Sequence, residues 1–166
     1  MADTISELHR SWNMSQIKGS NTKPEIIVRS FLHKKGFRFR LHVKGLPGKP
    51  DIVLKKYMTV IFVDGCYWHR HQGCKLAYNP KSKKEFWQSK FEANIRRDQE
   101  VNRMYKAIPW TMIRIWQCEI DEERLHNLVN KIKSSCFKQT SEAVSWLKPA
   151  NRTKINQGYG GLILKR

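Results

Sequence analysis

The sequence predicts a single α/β domain with a mixed β-sheet flanked by helices. Apolar residues recur at helical spacing in three stretches, and the shorter stretches between them either alternate apolar with polar residues or are short apolar runs. Glycine and proline separate these stretches, and the resulting order αβββαβα is typical of a sheet covered by helices. The chain has 166 residues, of which 40% are hydrophobic, so it is long enough for one domain with a buried core.

The first predicted helix of this domain begins at Thr22 and ends before Gly36. Pro24 is tolerated in a first turn, and Glu25 lies three residues after Thr22, as in a capping box. Residues 37–43 alternate apolar and basic side chains, which predicts a half-buried strand. The expected apolar face of the helix consists of Ile26, Ile27, Phe31 and Leu32.

Five more elements are predicted after a loop that ends at Pro50. They are strands over 51–54 and 59–63, a helix over 85–107, a strand over 110–116 and a helix over 119–134. Because the long helix is amphipathic, its aromatic residues Phe86, Trp87 and Phe91 are expected in the core. Residues 1–21 predict a short amphipathic helix or arm, 22–135 the domain, and 136–166 a basic tail packed on or near it.

The chain is strongly basic, with 32 Lys and Arg residues against 14 Asp and Glu, a formal net charge of +18. This imbalance favours a polyanionic partner, nucleic acid first and an anionic membrane surface second. No run of about 18 apolar residues and no apolar signal core are found in the sequence. We therefore expect no membrane-spanning segment and a cytoplasmic protein. In such a reducing compartment, three of the four cysteines, near histidines, favour metal binding over disulfides.

Residues 60–74 combine the end of an apolar strand with a carboxylate, two cysteines, two histidines and two adjacent aromatic residues. Asp51 opens one predicted strand and Asp64 closes the next. A tight turn centred between Tyr57 and Met58 would place the two aspartates directly opposite each other. Two such carboxylates need a cation, and Mg²⁺ in a chain this basic favours phosphodiester hydrolysis. The alternative is that both aspartates end strands at the solvent.

A zinc site is predicted from four residues: Cys66, His71, Cys74 and Cys118. Two or three thiolates with an imidazole suit a closed, structural zinc site. Cys136 is a rival for the fourth position, and the spacing also allows His69 in place of His71. His69 is otherwise suited to act as general base or acid for an attacking water.

Several groups are candidates for contact with DNA. Tyr67 and Trp68 are adjacent on an expected loop and are suited to wedge between base pairs, although one ring can equally belong to the core. Residues 23–49 hold eight Lys or Arg residues against one acid, and we expect Lys49, with Lys18 in the arm, to contact phosphates.

Six segments of the chain resemble the very short patch repair (Vsr) mismatch endonucleases. In order, they are Trp12-Asn13-Met14-Ser15-Gln16-Ile17, Leu46-Pro47-Gly48-Lys49-Pro50-Asp51, 60–74, Glu85-Phe86-Trp87, Asn94-Ile95-Arg96-Arg97-Asp98 and Ile115-Trp116-Gln117-Cys118. The resemblance implies a restriction-endonuclease-like core that nicks one DNA strand 5′ of the T in a T:G mismatch. Because deamination of 5-methylcytosine creates such mismatches, it also implies a cytosine-5 methyltransferase in the same bacterial host.

The resemblance also implies roles for individual residues. Asp51 would hold the catalytic Mg²⁺ with help from the carbonyl of Val63, and His69 would assist attack by water. Glu25 would lie near the metal-bound waters or help to position His69. The structural zinc would be bound by Cys66, His71, Cys74 and Cys118. Insertion beside the mismatch would involve Tyr67 and Trp68 from the major groove and Met14 from the arm.

The chain departs from the family at Asp64, where the family has histidine. The predicted hairpin favours Asp64 as a second direct Mg²⁺ ligand, and a proton-transfer role is the alternative. Gly73 is an extra residue between the local zinc ligands and leaves the role of His71 open.

The sequence thus predicts a Mg²⁺-dependent, nucleoid-associated endonuclease that nicks T:G duplexes as a monomer, with mismatch-repair proteins as further candidate partners. A restriction-type endonuclease acting on matched duplex is one alternative. A zinc-stabilised DNA-binding module without catalysis is another.

Overall fold

The computed structural model describes residues 6–16 and 19–135, and it contains four helices and four strands within those ranges. The helices are α1 (Glu7–Ser15), α2 (Lys23–Lys34), α3 (Lys84–Lys106) and α4 (Glu122–Ser135). The strands are β1 (Arg40–Leu41), β2 (Ile52–Leu54), β3 (Thr59–Asp64) and β4 (Thr111–Trp116). From α2 onward the order is the predicted αβββαβα. Lys18, Cys136 and the tail 136–166 lie outside the described residues, so the predictions made for them stay predictions.

The four strands form one mixed sheet in the order β1-β2-β3-β4. Strands β1, β2 and β3 pair antiparallel, whereas β3 and β4 pair in parallel, with Asp64 beside Trp116 at the end of the ladder. Parallel pairing is possible because α3 provides the long crossover connection between β3 and β4. The prediction of an α/β fold with a mixed sheet and flanking helices is confirmed.

Helices cover both faces of the sheet because alternate strand residues point in opposite directions. On one face, Ile61 and Val63 pack with Leu32 of α2 and with Leu128 of α4. On the other face, a second apolar cluster joins the sheet to α3: Val53, Val60, Phe62, Val101 and Tyr105. Asp51 and Asp64 have the same strand parity as the second cluster, so both belong to the α3 side.

The predicted register of the β2–β3 hairpin is wrong by two residues. Ile52 pairs with Ile61 and Leu54 with Thr59, so the connection is centred between Lys56 and Tyr57. The reason is a 3₁₀ turn over Lys55–Tyr57, closed by Met58 in a left-handed conformation with φ 44°. Asp51 and Asp64 therefore share a face without lying directly opposite each other.

Three other expectations about packing are corrected. Ile26 and Ile27 are 52% and 50% exposed, because the buried stripe of α2 instead follows Glu25, Val28 and Leu32. The strand expected over 37–43 is only Arg40–Leu41, at the edge of the sheet. Of the three α3 aromatic residues expected in the core, only Phe91 is buried, whereas Phe86 and Trp87 are not. Among the described residues, no helix combines the length and apolar character needed to cross a membrane.

Candidate active site and metal centre

Asp51 lies where the β2–β3 ladder ends. Its backbone N–H still bonds to the Ile61 carbonyl at 3.1 Å, and its carboxylate then accepts the Val63 N–H at 2.8 Å. Burial raises the Asp51 pKa above its usual value, and the Val63 bond offsets only part of this effect. The nearby Glu25 carboxylate raises the Asp51 pKa further, whereas His42 and Arg29 lower it. The arrangement is a half-buried carboxylate in a site that favours a cation.

Glu25 is almost completely buried at the start of α2, with 4% of its surface exposed. Its carboxylate accepts the backbone N–H groups of Asn21 and Thr22, at 3.0 and 3.2 Å, and the Thr22 hydroxyl at 2.8 Å. Arg29, one turn later, pairs with the same carboxylate at 2.5 Å. Glu25 therefore makes the N-terminal capping contact expected from the sequence, and it carries its own counter-ion.

Asp64 is the last residue of β3 and is only 4% exposed. Its Oδ2 lies 2.8 Å from Arg114 Nη1, in an ion pair that lacks hydrogen-bond alignment, and its Oδ1 lies 3.8 Å from His69 Nε2. Burial raises the Asp64 pKa to about 6, although the His69 and Arg114 charges act in the opposite direction. A carboxyl group with such a pKa can exchange a proton near neutral pH.

His69 is held by Asp98 of α3, whose Oδ2 lies 2.7 Å from His69 Nδ1. Burial lowers the His69 pKa, but the Asp98 hydrogen bond and the Asp64 and Asp98 charges outweigh it, so the net pKa is raised. The Asp98 pKa is lowered despite burial, because His69 and Arg114 stabilise its charged form. With a carboxylate at Nδ1, the neutral imidazole carries its proton there and presents a basic Nε2.

Four potential metal ligands converge beside this site: Cys66, His71, Cys74 and Cys118. One donor atom from each lies within 4.8 Å of all the others, with His71 Nδ1 3.1 Å from the Cys118 sulfur. A tetrahedral zinc ion with Zn–S bonds of about 2.3 Å needs sulfur atoms about 3.8 Å apart, so the cluster fits zinc with small adjustments. His69 is not a member, because both of its nitrogens face carboxylates.

The parallel β3–β4 pair explains why a distant cysteine joins the local ligands. Asp64 and Trp116 end the two strands side by side, and Cys66 and Cys118 each follow two residues later. Parallel strands end at the same edge of a sheet, so the two connecting loops meet there. The His71 ring also stacks on the Trp116 ring, with centroids 4.2 Å apart and planes 7° from parallel.

Comparison with known proteins agrees with this arrangement. The family model described as DNA mismatch endonuclease Vsr matches residues 2–75. The chain is 44% identical over 135 residues to the Type II nicking enzyme V.XorIIP of Xanthomonas oryzae, a match that covers 78% of this chain and 98% of that one. It is 36% identical over 120 residues to the DNA mismatch endonuclease Vsr of Escherichia coli, covering 72% of this chain and 76% of that one.

The chain belongs to the Vsr family of DNA mismatch endonucleases. It is therefore a DNA endonuclease, and its mixed sheet with helices on both faces is the predicted restriction-endonuclease-like core. A second nicking enzyme, V.NmeAIP of Neisseria meningitidis, is 41% identical over 140 residues, 81% of this chain and 99% of that one.

An aromatic surface beside the candidate site consists of Tyr67, Trp68 and Trp87, of which the first two are the side chains that the sequence predicts to enter DNA. Tyr67 and Trp68 are partly exposed, with centroids 5.2 Å apart, and Trp87 of α3 lies 5.7 Å from Tyr67 and 5.9 Å from Trp68. Asn94 fixes this loop by donating its side-chain N–H to the Trp68 carbonyl at 2.9 Å. Beneath the surface, Tyr67 packs edge-on against the buried Phe91.

Two further DNA-contact candidates have described positions. Lys49 is exposed two residues before Asp51, in a left-handed conformation with φ 52°. Its neighbour Gly48, with φ 70°, lets this turn approach the Val101 and Phe62 side chains so closely that a Cβ atom would lie 2.8 Å from Val101. Met14 lies in α1, but its side chain is outside the described structure.

Sequence reasoning missed two residues of the site, Asp98 and Arg114. Asp98 lies in a family-like segment to which the sequence assigned no role, and it reaches His69 only because α3 packs against this face of the sheet. The sequence does contain a signal for Arg114, because it is the one charged residue of the mostly apolar strand Thr111–Trp116. A charge in such a strand usually has a buried partner, but the sequence does not show which one.

Proposed function

We propose that this protein nicks one strand of duplex DNA 5′ of the T in a T:G mismatch produced by deamination of 5-methylcytosine, with Mg²⁺ as cofactor. The observation that carries the proposal is the His69–Asp98 pair between Asp64 and the aromatic surface. The His69–Asp98 pair is suited to activating a water molecule, and the aromatic side chains next to it are suited to separating two stacked base pairs. The net charge of +18 supports a DNA substrate.

We propose that Mg²⁺ is held by the Asp51 carboxylate and the Val63 carbonyl. Two observations support this site: Asp51 is desolvated beside the Glu25 carboxylate, and oxygen atoms are the ligands that Mg²⁺ prefers. When bound, Mg²⁺ would supply charge stabilisation to the phosphate undergoing hydrolysis. The contacts of Glu25 with Asn21, Thr22 and Arg29 favour a role near the metal-bound waters over direct positioning of His69.

His69 is proposed to take a proton from the attacking water through Nε2. Asp98 holds the ring by Nδ1, so the imidazole keeps one orientation while the proton moves. The distance of 3.8 Å between His69 Nε2 and Asp64 Oδ1 is too long for a direct hydrogen bond. It suits a water molecule that both side chains contact.

Asp64 is proposed as a second Mg²⁺ ligand through Oδ1, because Oδ2 is paired with Arg114. Proton transfer is the alternative, and the Asp64 pKa of about 6 is compatible with it. Asp64→Asn tests the choice: a ligand role predicts a higher Mg²⁺ concentration for half-maximal nicking, whereas an unchanged Mg²⁺ requirement would contradict it.

The zinc ion is proposed to be structural, because its four candidate ligands are all protein side chains and leave no open position. It would join the loop after β3 to the end of β4. That loop also carries Tyr67, Trp68 and His69, so zinc would hold both the aromatic surface and the proposed base in place.

We propose that Tyr67 and Trp68 insert beside the mismatch, with Trp87 supporting them, and that Met14 approaches from the N-terminal arm. Base–aromatic stacking supplies about 1–3 kcal/mol per base and repays part of the cost of opening a step. Lys18 and Lys49 are proposed to contact phosphates.

The test is incubation of the protein with matched and T:G duplexes of the same sequence, with and without Mg²⁺. Mg²⁺-dependent nicking of the T:G duplex alone, 5′ of the T, is the expected result. Cutting of both duplexes would instead indicate a restriction-type enzyme. Binding without cleavage, unchanged in Asp51→Ala, would indicate a zinc-stabilised DNA-binding module. Glu100→Gln is a suitable control, because Glu100 pairs with Arg103 on the outer side of α3.

The proposal extends to the cellular setting. A nick in one strand needs only one active site, so we propose that the protein acts as a monomer on the bacterial nucleoid. A cytosine-5 methyltransferase in the same host would generate its substrate, and mismatch-repair proteins are candidate partners.

A further inference from the structure

Arg114 lies at the centre of the candidate site, although it belongs to the strand farthest from Asp51. Its side chain is 17% exposed, and its guanidinium packs 5.8 Å from the centroid of the Phe62 ring. Its Nη1 lies 2.8 Å from Asp64 Oδ2 and 3.2 Å from Asp98 Oδ2. One guanidinium nitrogen thus bridges carboxylates from β3 and from α3.

Arg114, Asp64, His69 and Asp98 form a closed ring of contacts, which includes the proposed base His69. Asp98 Oδ2, which faces Arg114, also lies 2.7 Å from His69 Nδ1, and His69 Nε2 faces Asp64 Oδ1 at 3.8 Å. Asp64 belongs to β3, His69 to the loop after it, Asp98 to α3 and Arg114 to β4. Both carboxylates that flank His69 therefore depend on the same arginine.

The charges explain why an arginine is needed at this position. Asp64 and Asp98 are both largely buried, with side chains 5% and 19% exposed, and they would repel each other without a cation between them. Arginine keeps its charge at every relevant pH, and its planar group can serve two acceptors at once. Without it, Asp98 would be free to leave His69.

We propose that Arg114 is a positioning residue for proton transfer: it bridges Asp64 and Asp98 and thereby holds His69 with Nε2 toward the reacting water. This inference rests on the nuclease function proposed above. A direct contact between Arg114 and a DNA phosphate is a different role, and the geometry disfavours it. Nη1 is already shared by two carboxylates, and Nε is buried without a hydrogen-bond partner among the described residues.

The experiment measures kcat and KM for T:G nicking in Arg114→Met, Asp98→Asn and the double variant, with Arg103→Met as control. Arg103 is an α3 arginine whose side chain, 72% exposed, pairs with Glu100 on the outer side of the helix. Misplacement of a catalytic group by about 1 Å can lower the rate about 100-fold, so we expect a loss of that order in kcat for Arg114→Met. KM for DNA should stay within about threefold, and Arg103→Met should behave as wild type.

Because Arg114 acts through Asp98, the double variant should lose much less than the product of the two single losses. A multiplicative loss would overturn the inference, and so would a raised KM with unchanged kcat, which indicates phosphate binding. If Arg114→Met does not fold, Arg114→Lys replaces it in the same cycle. Lysine keeps the charge without the planar bridge, so a kcat loss of about tenfold at unchanged KM is expected.

A second measurement does not depend on nicking. The imidazole Nδ1 proton of His69, bonded to Asp98, should give a sharp downfield NMR signal in wild type and lose or broaden it in Arg114→Met. Retention of that signal in Arg114→Met would overturn the inference even if no duplex is cut. Failure of the wild type to nick any duplex, with the signal still sensitive to Arg114, would instead count against the proposed function alone.

Discussion

Asp98→Asn is the sharpest test of the proposed base. Asp98 keeps its charge because His69 and Arg114 lower its pKa, and its 2.7 Å contact with His69 Nδ1 joins charged or readily charged partners. Hydrogen bonds to charged groups contribute about 1.5–3 kcal/mol, and asparagine keeps at most the weaker, neutral part. The asparagine amide can also donate to Nδ1, which would move the imidazole proton to Nε2 and remove the base.

Two results follow from this substitution. A positioned general base contributes about 10²–10⁴-fold, so kcat at optimal pH should fall by a factor in that range. The Asp98 carboxylate favours the charged imidazolium and raises the His69 pKa, so its removal lowers that pKa. The acid limb of the pH–rate profile should therefore move to lower pH.

The assay is single-turnover nicking of a labelled T:G duplex between pH 5 and 9 at saturating Mg²⁺. Glu100→Gln is the matched control, because it removes another carboxylate of α3 whose partner, Arg103, lies on the solvent side. Zinc content and thermal unfolding of both variants establish that the fold is intact. An undiminished plateau rate in Asp98→Asn would refute the role of His69 as a base oriented by Asp98.

Three further predictions concern the zinc site, the aromatic surface and the core. Cys118→Ser should lower zinc affinity by about 100-fold or more and reduce the melting temperature, and full zinc content by elemental analysis would contradict the ligand set. Trp87→Ala should weaken binding to a T:G duplex by about tenfold, whereas equal affinity in a fluorescence titration would exclude Trp87 from the interface. Leu32→Ala, at a fully buried position, should cost about 2–5 kcal/mol in urea unfolding, and a cost no larger than that of the exposed Leu41→Ala would refute the assigned core.

The sequence was informative wherever neighbouring residues determine the outcome. The order of elements, the start of α2 and the local trio Cys66, His71 and Cys74 depend on spacing within a few residues, and the structure shows all three. The motif residues and the basic composition also predicted the Vsr family and a DNA substrate, and the family comparison confirms the former.

The β2–β3 register shows the first limit of this reasoning. A turn centred one residue away would have opposed Asp51 and Asp64, and the 3₁₀ turn closed by Met58 prevented it. Strand register depends on turn geometry, which several residues at the turn determine together. The predicted apolar face of α2 is wrong for a related reason: burial depends on which side of the helix meets the sheet, and that side carries Glu25, Val28 and Leu32.

By itself, the sequence determined the fold class, the family and most of the side chains proposed to carry the chemistry, because these depend on residue type and short-range spacing. Only the tertiary structure decided how they are grouped. It brought Cys118 to the local zinc-ligand candidates and Asp98 to His69, and it placed Arg114 of the last strand between two carboxylates. These groupings depend on the parallel β3–β4 pairing and on the crossover helix, contacts between residues far apart in the chain that no local pattern encodes.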